Sequence, residues 1–537
     1  AAVLTAVMVA SMFTGCGSDK GSSSAKSTSA ASAANDTVDE DGKVNGIMYQ
    51  EGLPLVDEGA YTFSIFCDDS SESGEFIMLD EFKKQTNVDV DLKIYPYETA
   101  TERLNLDLNS GDYADVIGGW TLSDNAILTY GVNQGVFIPL EDYFEKYCPN
   151  ISAILDLPGV REKMTAPDGH IYTIPYVCAD STVGYSPYIN TKWLENVGMS
   201  MPTTTDEFEA VLKAFKEQDA NGNGDASDEI PFSTDPNNKH IEAMAGYFGL
   251  PMNKLGIAIQ NEKVVYGGVS DTYREFLSWF HKLYAEGLVD VELYTQDSST
   301  WEGKGNQDLY GVSIAYGSGE FTGIPAAEER GDFDSMPVLN TDKDGIWLRD
   351  TEGFSVYRTQ AVITNKAEHP EIICRWFDNA FALENGIGCN RGPVGVIVNK
   401  EDDGYHAIDT TTLSEEDQEK YSWGNLWPQS LPKYLPADFE FVEEHPMYDE
   451  KKATEEAYEA NLTKEIIPSY WIDLDKIDTF SDTNTAIKDF FEQQQAQFVC
   501  GELDIDNDAD WQAYVDGMYS LGLEDWVATQ GIEEIAK

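Results

Sequence analysis

Apolar and polar residues alternate with two different periods along this chain. Residues 62–67 (TFSIFC) form an apolar run, and residues 88–96 (VDVDLKIYP) show the two-residue alternation of a strand. Between them, residues 74–88 place apolar side chains at helical spacing on one face. Strands that alternate with helices in this way are typical of an α/β fold.

The alternation continues through the middle of the chain. Residues 114–119 (ADVIGG) form a short predicted strand that ends in a glycine pair, directly before Trp120. Strand ends of this kind border clefts in α/β sheets. A helix is predicted after Pro202, with Thr205 as its N-cap. Further predicted elements are a strand-to-helix unit at 183–198, a helix at 271–289, strands at 310–320 and 354–366, a helix at 369–382, and acidic helices over the last third of the chain.

The length of 537 residues predicts at least two lobes, because a single hydrophobic core stops growing at about 250–300 residues. The composition of 35 Lys and Arg against 96 Asp and Glu gives a formal net charge of -61. Nucleic acid is therefore excluded as a partner, since its recognition needs a basic surface. Attraction to anionic lipid is excluded for the same reason, and the acids are expected to form a solvated surface.

The seven cysteines have no CxxC spacing, and the six histidines are scattered. A zinc site with clustered ligands is therefore not predicted. Cys67 and Cys178 follow apolar runs, so buried free thiols are favoured for the cysteines after Cys16, although disulfides remain an alternative.

The N-terminus has the features of an export signal. Residues 1–15 are apolar and too short to span a bilayer, and Phe13-Thr14-Gly15-Cys16 resembles a bacterial lipobox. We expect the sequence to begin inside the signal peptide (1–16) and Cys16 to carry the lipid. An ordinary signal peptide with a chance cysteine is the alternative. Residues 17–54 begin with a Ser/Ala-rich stretch and are predicted to form a disordered tether, which would place the protein on the extracellular face of the cell membrane.

Four stretches in a fixed order make the chain similar to the extracellular solute-binding proteins of bacterial ABC importers. It looks most like the larger lipoprotein members that serve sugar uptake in Gram-positive bacteria. The stretches are LNLDLNSGDYADVIGG (104–119), YINTKWLENVGMSMPTTTDEFEAVLKAFK (188–216), DANGNGDASDEIPF (219–232) and AVITNKAEHPEIICRWFD (361–378).

The resemblance implies a type II periplasmic-binding-protein fold, in which two α/β lobes joined by a hinge close around a ligand in the cleft between them. It implies a monomer that captures an oligosaccharide and delivers it to permease subunits. The domains expected are 55–180 for the first part of lobe 1, 181–330 for the first part of lobe 2, 331–400 for the second part of lobe 1, and 401–537 for the rest of lobe 2 with a helical C-terminal part.

Residues 219–230 have the character of a calcium loop. Oxygen-bearing side chains alternate along it, and Gly224 stands at the sixth position, where an EF-hand loop turns sharply. The twelfth position is Ile230 rather than Glu, which departs from an EF-hand. Members of the resembling family carry a similar loop that binds a structural Ca²⁺, and a plain Asn/Gly turn is the alternative. The candidate ligands are Asp219, Asn221, Asn223, Asp225, Asp228 and Glu229.

Sugar sites combine aromatic platforms with a few polar groups, so aromatic residues at predicted strand ends and in polar loops are the ligand candidates. Each lone aromatic residue could also belong to the core, and Arg391 could form a surface salt bridge instead. The candidates are Trp120, Tyr185, Tyr316, Arg391, Trp423, Asn425 and Trp427.

Catalysis is not expected, because no GxSxG, HExxH or P-loop motif is present and paired carboxylates arise by chance among 96 acids. A polysaccharide-active surface enzyme, a binding protein for a peptide or another solute, and a passive adhesin are the alternatives. Turnover of oligosaccharide would identify the first, and a ligand screen by thermal shift would separate the others.

Overall fold

The computed structural model of the protein describes residues 36–536, apart from 70–74, 236–239, 324–330, 409, 437–438, 440 and 443–445. The predicted signal peptide, Cys16 and residues 17–35 of the predicted tether lie outside the described residues. In the part of the chain that is described, no helix combines the length and apolar character that a membrane span requires.

The strands follow one another along the whole described chain. They are β1 (Lys43–Val44), β2 (Met48–Tyr49), β3 (Tyr61–Asp68), β4 (Val88–Tyr95), β5 (Val116–Gly118), β6 (Thr173–Ala179), β7 (Ser186–Asn190), β8 (Ile230–Thr234), β9 (Ile257–Gln260), β10 (Lys263–Tyr266), β11 (Tyr310–Ala315), β12 (Phe333–Ser335), β13 (Trp347–Arg349), β14 (Phe354–Ile363), β15 (Val398–Glu401), β16 (Gly404–Ala407), β17 (Leu462–Ile466) and β18 (Glu534–Ile535).

Helices separate most of these strands. The α-helices are α1 (Ile77–Thr86), α2 (Tyr97–Ser110), α3 (Asp124–Ala126), α4 (Glu141–Tyr147), α5 (Pro149–Leu155), α6 (Val160–Met164), α7 (Thr191–Val197), α8 (Thr205–Glu217), α9 (Asp271–Ala285), α10 (Ser298–Asn306), α11 (Gly319–Thr322), α12 (Pro370–Ala380), α13 (Leu383–Arg391), α14 (Glu415–Lys420), α15 (Pro446–Tyr458), α16 (Ile477–Cys500), α17 (Asp508–Ser520) and α18 (Leu523–Thr529). A π-helix spans Ile127–Asn133, and 3₁₀ turns span Ile241–Phe248, Thr410–Thr412, Trp423–Asn425, Glu459–Asn461 and Leu474–Lys476.

The first lobe is built on a five-stranded sheet with the order β4-β3-β5-β14-β6. Strands β3, β4 and β5 are parallel, and β14 runs antiparallel to both of its neighbours. Side chains of β3 alternate between two cores, with Phe63 and Ile65 on one face and Phe66 on the other. Both faces of the sheet are therefore covered, as the predicted α/β fold requires.

The second lobe is built on a four-stranded sheet with the order β12-β7-β11-β8. Strands β8 and β11 are parallel, and β7 is antiparallel to β11 and β12. Its large core includes Trp193 and Phe215, and it extends to the C-terminal helices through Trp526. Two α/β lobes are thus present, and the predicted fold class is confirmed.

The chain passes between the lobes at several points. It leaves β6 for β7 through residues 180–185, and it returns to the first sheet between β13 and β14. The predicted boundary at 331 lies too early, because β12 pairs with β7 of the second sheet and Trp347 of β13 packs in the second core. Within the predicted 401–537 unit, Trp427 and Leu431 pack in the first lobe.

A β-hairpin occupies part of the segment that was predicted to be a tether. Val44 of β1 and Met48 of β2 are fully buried against the first-lobe core, and Asn45 and Gly46 between them have positive φ. An Asn-Gly pair between apolar residues favours such a turn. The predicted disorder is therefore wrong for residues 43–49.

The predicted helix N-cap and the predicted state of the cysteines can also be compared with the structure. Thr204 rather than Thr205 caps α8, since its side chain accepts a hydrogen bond from the backbone N–H of Glu207. The six cysteines of the described chain are free thiols, as favoured; Cys178 is half-buried, Cys500 is exposed, and the buried ones are Cys67, Cys148, Cys374 and Cys389.

Candidate functional site

All 11 tryptophans of this chain lie in the described residues, and two of them are exposed. Trp120 is 45% exposed and Trp423 is 51% exposed. Large apolar side chains are normally buried, so two open indole faces in one lobe indicate a contact surface.

A buried carboxylate fixes the direction of Trp120 at the end of β5. Asp68 accepts hydrogen bonds from the backbone N–H groups of Trp120 (2.9 Å) and Thr121 (2.6 Å). Gly119 has a φ of 135°, and a Cβ atom there would lie 2.3 Å from Oδ1 of Asp68. Glycine at position 119 is thus required for this close approach. Burial raises the pKa of Asp68.

Trp120 lies against two tyrosines from neighbouring strands. Its ring centroid is 5.3 Å from that of Tyr357 on β14, edge to face, and 6.4 Å from that of Tyr176 on β6. The two tyrosine rings stack on each other at 5.5 Å. Trp120, Tyr176 and Tyr357 form an aromatic surface, which we name the first-lobe edge.

Asp180, in the segment that crosses between the lobes, is bonded to both of them. Its Oδ2 accepts from Ser355 Oγ (2.5 Å) and from the hydroxyl of Tyr357 (3.0 Å), both on the first lobe. Its Oδ1 accepts from the hydroxyl of Tyr316 (3.0 Å), which follows β11 of the second lobe. The carboxylate therefore joins two sheets at the ends of their strands, where α/β proteins hold ligands.

Three rings of the second lobe face this junction, and we name them the second-lobe edge: Tyr185, Tyr316 and His240. Tyr185 stacks on His240 with centroids 4.0 Å apart and planes at 12°, and it meets Tyr316 edge to face at 6.1 Å. The ammonium group of Lys451 lies 3.9 Å from the centre of the Tyr316 ring and donates to the carbonyls of Gly184 (2.6 Å) and Tyr316 (2.7 Å).

Surrounding protein atoms partly desolvate the ionisable groups around the second-lobe edge. This desolvation raises the pKa of the Glu320 carboxyl to about 7 and that of Asp350 to about 6, although both residues keep exposed surface. Burial also lowers the pKa of Lys451 to about 8. Glu320 accepts from the backbone N–H of Tyr316, and Asp350 accepts from that of Gly184.

Trp423 and Arg391 lie beside the first-lobe edge. The ammonium group of Lys433 is 5.4 Å from the Trp423 ring and 6.0 Å from the Tyr176 ring, and it donates to Oε1 of Gln429. Burial lowers the pKa of Lys433 to about 8 and that of Arg391 to about 10. Arg391 donates to the carbonyl of Asn390.

Trp427 and Asn425 were both predicted to contact the ligand, and the structure places them differently. The Trp427 side chain has no exposed surface, stacks on Trp376 at 5.6 Å and donates to the carbonyl of Leu431. Its predicted role in ligand binding is wrong, because the indole supports the first-lobe core. Asn425 is half-buried, and its amide donates to the carbonyl of Glu419.

The structure therefore brings Trp120, Tyr185 and Tyr316 to one junction, with Trp423 and Arg391 beside it. Sequence reasoning missed Tyr176, Tyr357, Asp180, Lys451 and His240. The position of Tyr357 was a usable signal, since it lies in the strand predicted at 354–366, and Tyr176 pairs with it on the neighbouring strand β6. The other three become recognisable only when distant segments meet.

The predicted calcium loop leads directly into β8. Backbone N–H groups inside the loop bond to its own side chains: Gly224 donates to Asp219 Oδ2, and Asp225 donates to Asn223 Oδ1. Asp228 accepts from the side-chain amides of Asn221 (3.2 Å) and Asn223 (2.7 Å). The side chains thus converge from both ends of the loop.

Two carboxylate oxygens of this loop fit a bound cation. Oδ1 of Asp219 and Oε2 of Glu229 are buried and have no hydrogen-bond partner among the described residues. Burial raises the pKa of Glu229. A buried carboxylate oxygen without a partner is costly, and hard cations such as Ca²⁺ prefer oxygen ligands of this kind. Asp225 instead accepts from its neighbour Ser227, so its side chain is turned away.

Known proteins resemble this chain over most of its length. The family model of the bacterial extracellular solute-binding proteins matches residues 70–386. The fructooligosaccharide ABC transporter substrate-binding protein FusA of Streptococcus pneumoniae serotype 4 is 32% identical over 379 residues, which are 68% of each chain.

Solved structures of S. pneumoniae FusA share the fold. The complex with kestose has a TM-score of 0.76 and 26% identity, and it covers 87% of this chain and 98% of that one. An EF-hand mutant in complex with fructo-nystose has a TM-score of 0.75 and 27% identity, with the same coverage.

Proposed function

Because the chain belongs to the family of bacterial extracellular solute-binding proteins, we propose that it is the substrate-binding subunit of an ABC importer for oligosaccharides. The single observation that carries the proposal is the junction at Asp180, where the aromatic edges of two lobes meet beside an exposed tryptophan. The similarity to FusA supports a fructooligosaccharide as the ligand class.

The junction suits a sugar for a physical reason. A sugar ring has an apolar C–H face and a rim of hydroxyls, so it stacks on an indole and hydrogen-bonds at its edges. Trp120 supplies the stacking face, and the hydroxyl-bearing side chains around Asp180 supply polar partners. A ligand that touches both edges stabilises the closed arrangement over the open one, which drives closure.

Other parts of the proposal concern the setting of the protein. Cys16 carries a lipid, the protein works as a monomer on the extracellular face of the membrane, and permease subunits receive the unaltered ligand. The protein has no catalytic role in this proposal. The Ser/Ala-rich stretch after Cys16 supports the tether.

Calorimetric titration tests the main proposal. Kestose is expected to bind the wild-type protein, and maltotriose and a neutral tripeptide are expected to bind more weakly or not at all. Trp120→Ala should lower the affinity for kestose by about 2–3 kcal/mol, or roughly 30- to 150-fold. Tyr519→Ala, which removes an exposed ring of α17, a helix that packs on the second-lobe core, is the matched control and should leave the affinity unchanged.

Two outcomes would contradict this proposal. The first is that no oligosaccharide binds the wild-type protein while the tripeptide does. The second is that chromatography of the recovered sugar shows shortened products, since a binding protein releases its ligand intact.

We further propose that the loop at 219–229 holds a structural Ca²⁺ through Asp219, Asn221, Asn223, Asp228 and Glu229, with Asp225 contributing its backbone carbonyl. The ion would pin the start of β8 in the second lobe. Calcium at about 100 times its Kd should stabilise the chelator-treated protein by roughly 2.7 kcal/mol, seen as a higher melting temperature.

Loop variants separate this effect from non-specific stabilisation. Asp219→Ala should abolish the response to calcium, because it removes a buried oxygen without a partner. Asp225→Ala should retain the response, since the carboxylate of Asp225 is bonded to Ser227. Equal calcium responses in both variants would exclude the site.

A further inference from the structure

His240 has an unused hydrogen-bonding atom at the second-lobe edge. Its Nε2 is buried and has no hydrogen-bond partner among the described residues. A buried polar atom without a partner costs free energy, so such atoms are usually satisfied in the working state of a protein. The imidazole of His240 is therefore incomplete without a further group.

The ring of His240 is held in place rather than free to turn. It lies flat on Tyr185, with ring centroids 4.0 Å apart, and Tyr185 in turn meets Tyr316. The backbone of His240 has a φ of 49° and starts the 3₁₀ turn Ile241–Phe248, with its carbonyl accepting from the N–H of Ala243. The position of Nε2 is thus set by the fold before any ligand arrives.

Resting on the proposed function, we propose that Tyr185 and His240 form the second-lobe subsite for an uncharged sugar ring, whose hydroxyl pairs with Nε2 of His240. A hydroxyl both donates and accepts, so it satisfies Nε2 in either tautomer of the neutral imidazole. A carboxylate only accepts and would need one tautomer or the charged ring.

The surrounding charges favour a neutral ligand over an acidic one. Asp235 follows β8 and Glu320 follows β11, so both carboxyl groups lie at the strand ends that carry the second-lobe edge, and Glu302 is a neighbour of both. A uronic acid carboxylate here would meet the like charge of Asp235 and would have to leave water, which is costly; Glu320, with a pKa of about 7, adds only part of a charge.

The nearby cations do not offset this repulsion, because they already interact with other groups of the protein. Lys451 donates to the backbone carbonyls of Gly184 and Tyr316. Lys254, which lies near His240, faces the carboxylates of Glu242, Glu492 and Asp235 together with the ammonium of Lys488. The second-lobe subsite therefore distinguishes uncharged oligosaccharides from uronate oligosaccharides.

Titration calorimetry with two probes tests this proposal: kestose, an uncharged trisaccharide, and trigalacturonate, an acidic one. His240→Phe keeps a flat ring on Tyr185 and removes the Nε2 contact. It should weaken kestose binding by about tenfold, while the melting temperature of the ligand-free protein stays at or above that of the wild type, because the unpartnered Nε2 is gone. His240→Asn, which keeps a polar group but loses the stacked ring, should also bind kestose more weakly. Trigalacturonate should show no measurable binding to the wild type.

Two results would overturn the subsite while leaving the proposed function intact. One is kestose affinity in His240→Phe equal to that of the wild type, while Trp120→Ala still loses affinity. The other is trigalacturonate affinity equal to that of kestose. Failure of the wild type to bind any oligosaccharide would instead overturn the proposed function, and the subsite with it.

Discussion

The two edges that meet at Asp180 use aromatic rings in different ways. On the first lobe, Trp120 and Trp423 are about half exposed and present open indole faces. On the second lobe, Tyr185, Tyr316 and His240 are partly buried and stacked on one another, with carboxyl groups around them.

Because of this difference, we expect the two edges to contribute differently to ligand binding. An open indole offers contact area to a sugar before the lobes close, and its contribution scales with apolar area. Recessed rings offer few atoms but fix the direction of each hydrogen bond, so they discriminate between ligands more than they attract them. We infer that the first-lobe edge supplies affinity and the second-lobe edge supplies selectivity.

The largest expected effect is the loss of stability when a tryptophan in the first-lobe core is removed, compared with the removal of an exposed one. Trp427→Ala should lower the free energy of unfolding by about 3–5 kcal/mol, because it leaves a cavity beneath Trp376. Trp423→Ala, four residues earlier, should change stability by less than about 0.5 kcal/mol and weaken sugar binding instead. Chemical denaturation and calorimetry of both variants measure the two quantities, and equal stability losses would remove the distinction.

The next effect concerns the link between the edges. Asp180→Asn keeps the shape of the side chain but removes the charge that accepts from Tyr316, Tyr357 and Ser355. The free energy of unfolding should fall by about 1–3 kcal/mol, because hydrogen bonds to a charged group are lost or weakened. Asp334→Asn on β12 is the control, as an exposed strand aspartate with an expected change below about 0.5 kcal/mol. Indistinguishable variants would mean that Asp180 does not couple the lobes.

The smallest effect is a pH dependence of the second-lobe edge. Burial, and then the charge of Lys254, lower the pKa of His240 from 6.5 to about 3. Between these values the unfolded chain binds the proton and the folded protein does not, so folding stability falls as the pH drops below about 6.5.

A variant without the His240 imidazole does not lose folding stability in this way as the pH drops. The stability difference between His240→Phe and the wild type should therefore shift in favour of Phe between pH 7 and pH 5, by up to roughly 1.4 kcal/mol per pH unit. Glu320, whose raised pKa acts with the opposite sign, is present in both proteins and cancels in the difference. Urea denaturation at three pH values checks this, and parallel pH profiles would contradict it.

Local sequence patterns predicted the elements of the fold well. The helices and strands follow residues whose spacing is visible in a short window, such as the apolar face of α8. The hairpin at 43–49 was missed because the Ser/Ala-rich stretch before it dominated the interpretation, although Asn45-Gly46 carried a turn signal.

The candidate site was predictable only in part. Trp120 was identified because a glycine pair marks the strand end before it. The sequence did not distinguish Trp423 from Trp427, because Trp427 is buried by packing on Trp376, about 50 residues away in the chain. Asp180 and His240 gain their roles from partners in distant segments of the chain, and such pairings cannot be read from local periodicity.

The most direct test of the account is a crystal structure of the protein grown with kestose. We predict electron density for the sugar between the lobes, with one ring stacked on Trp120 and another within hydrogen-bonding distance of His240 Nε2. Kestose bound elsewhere on the surface, or lobes closed against each other with the sugar excluded, would contradict the account.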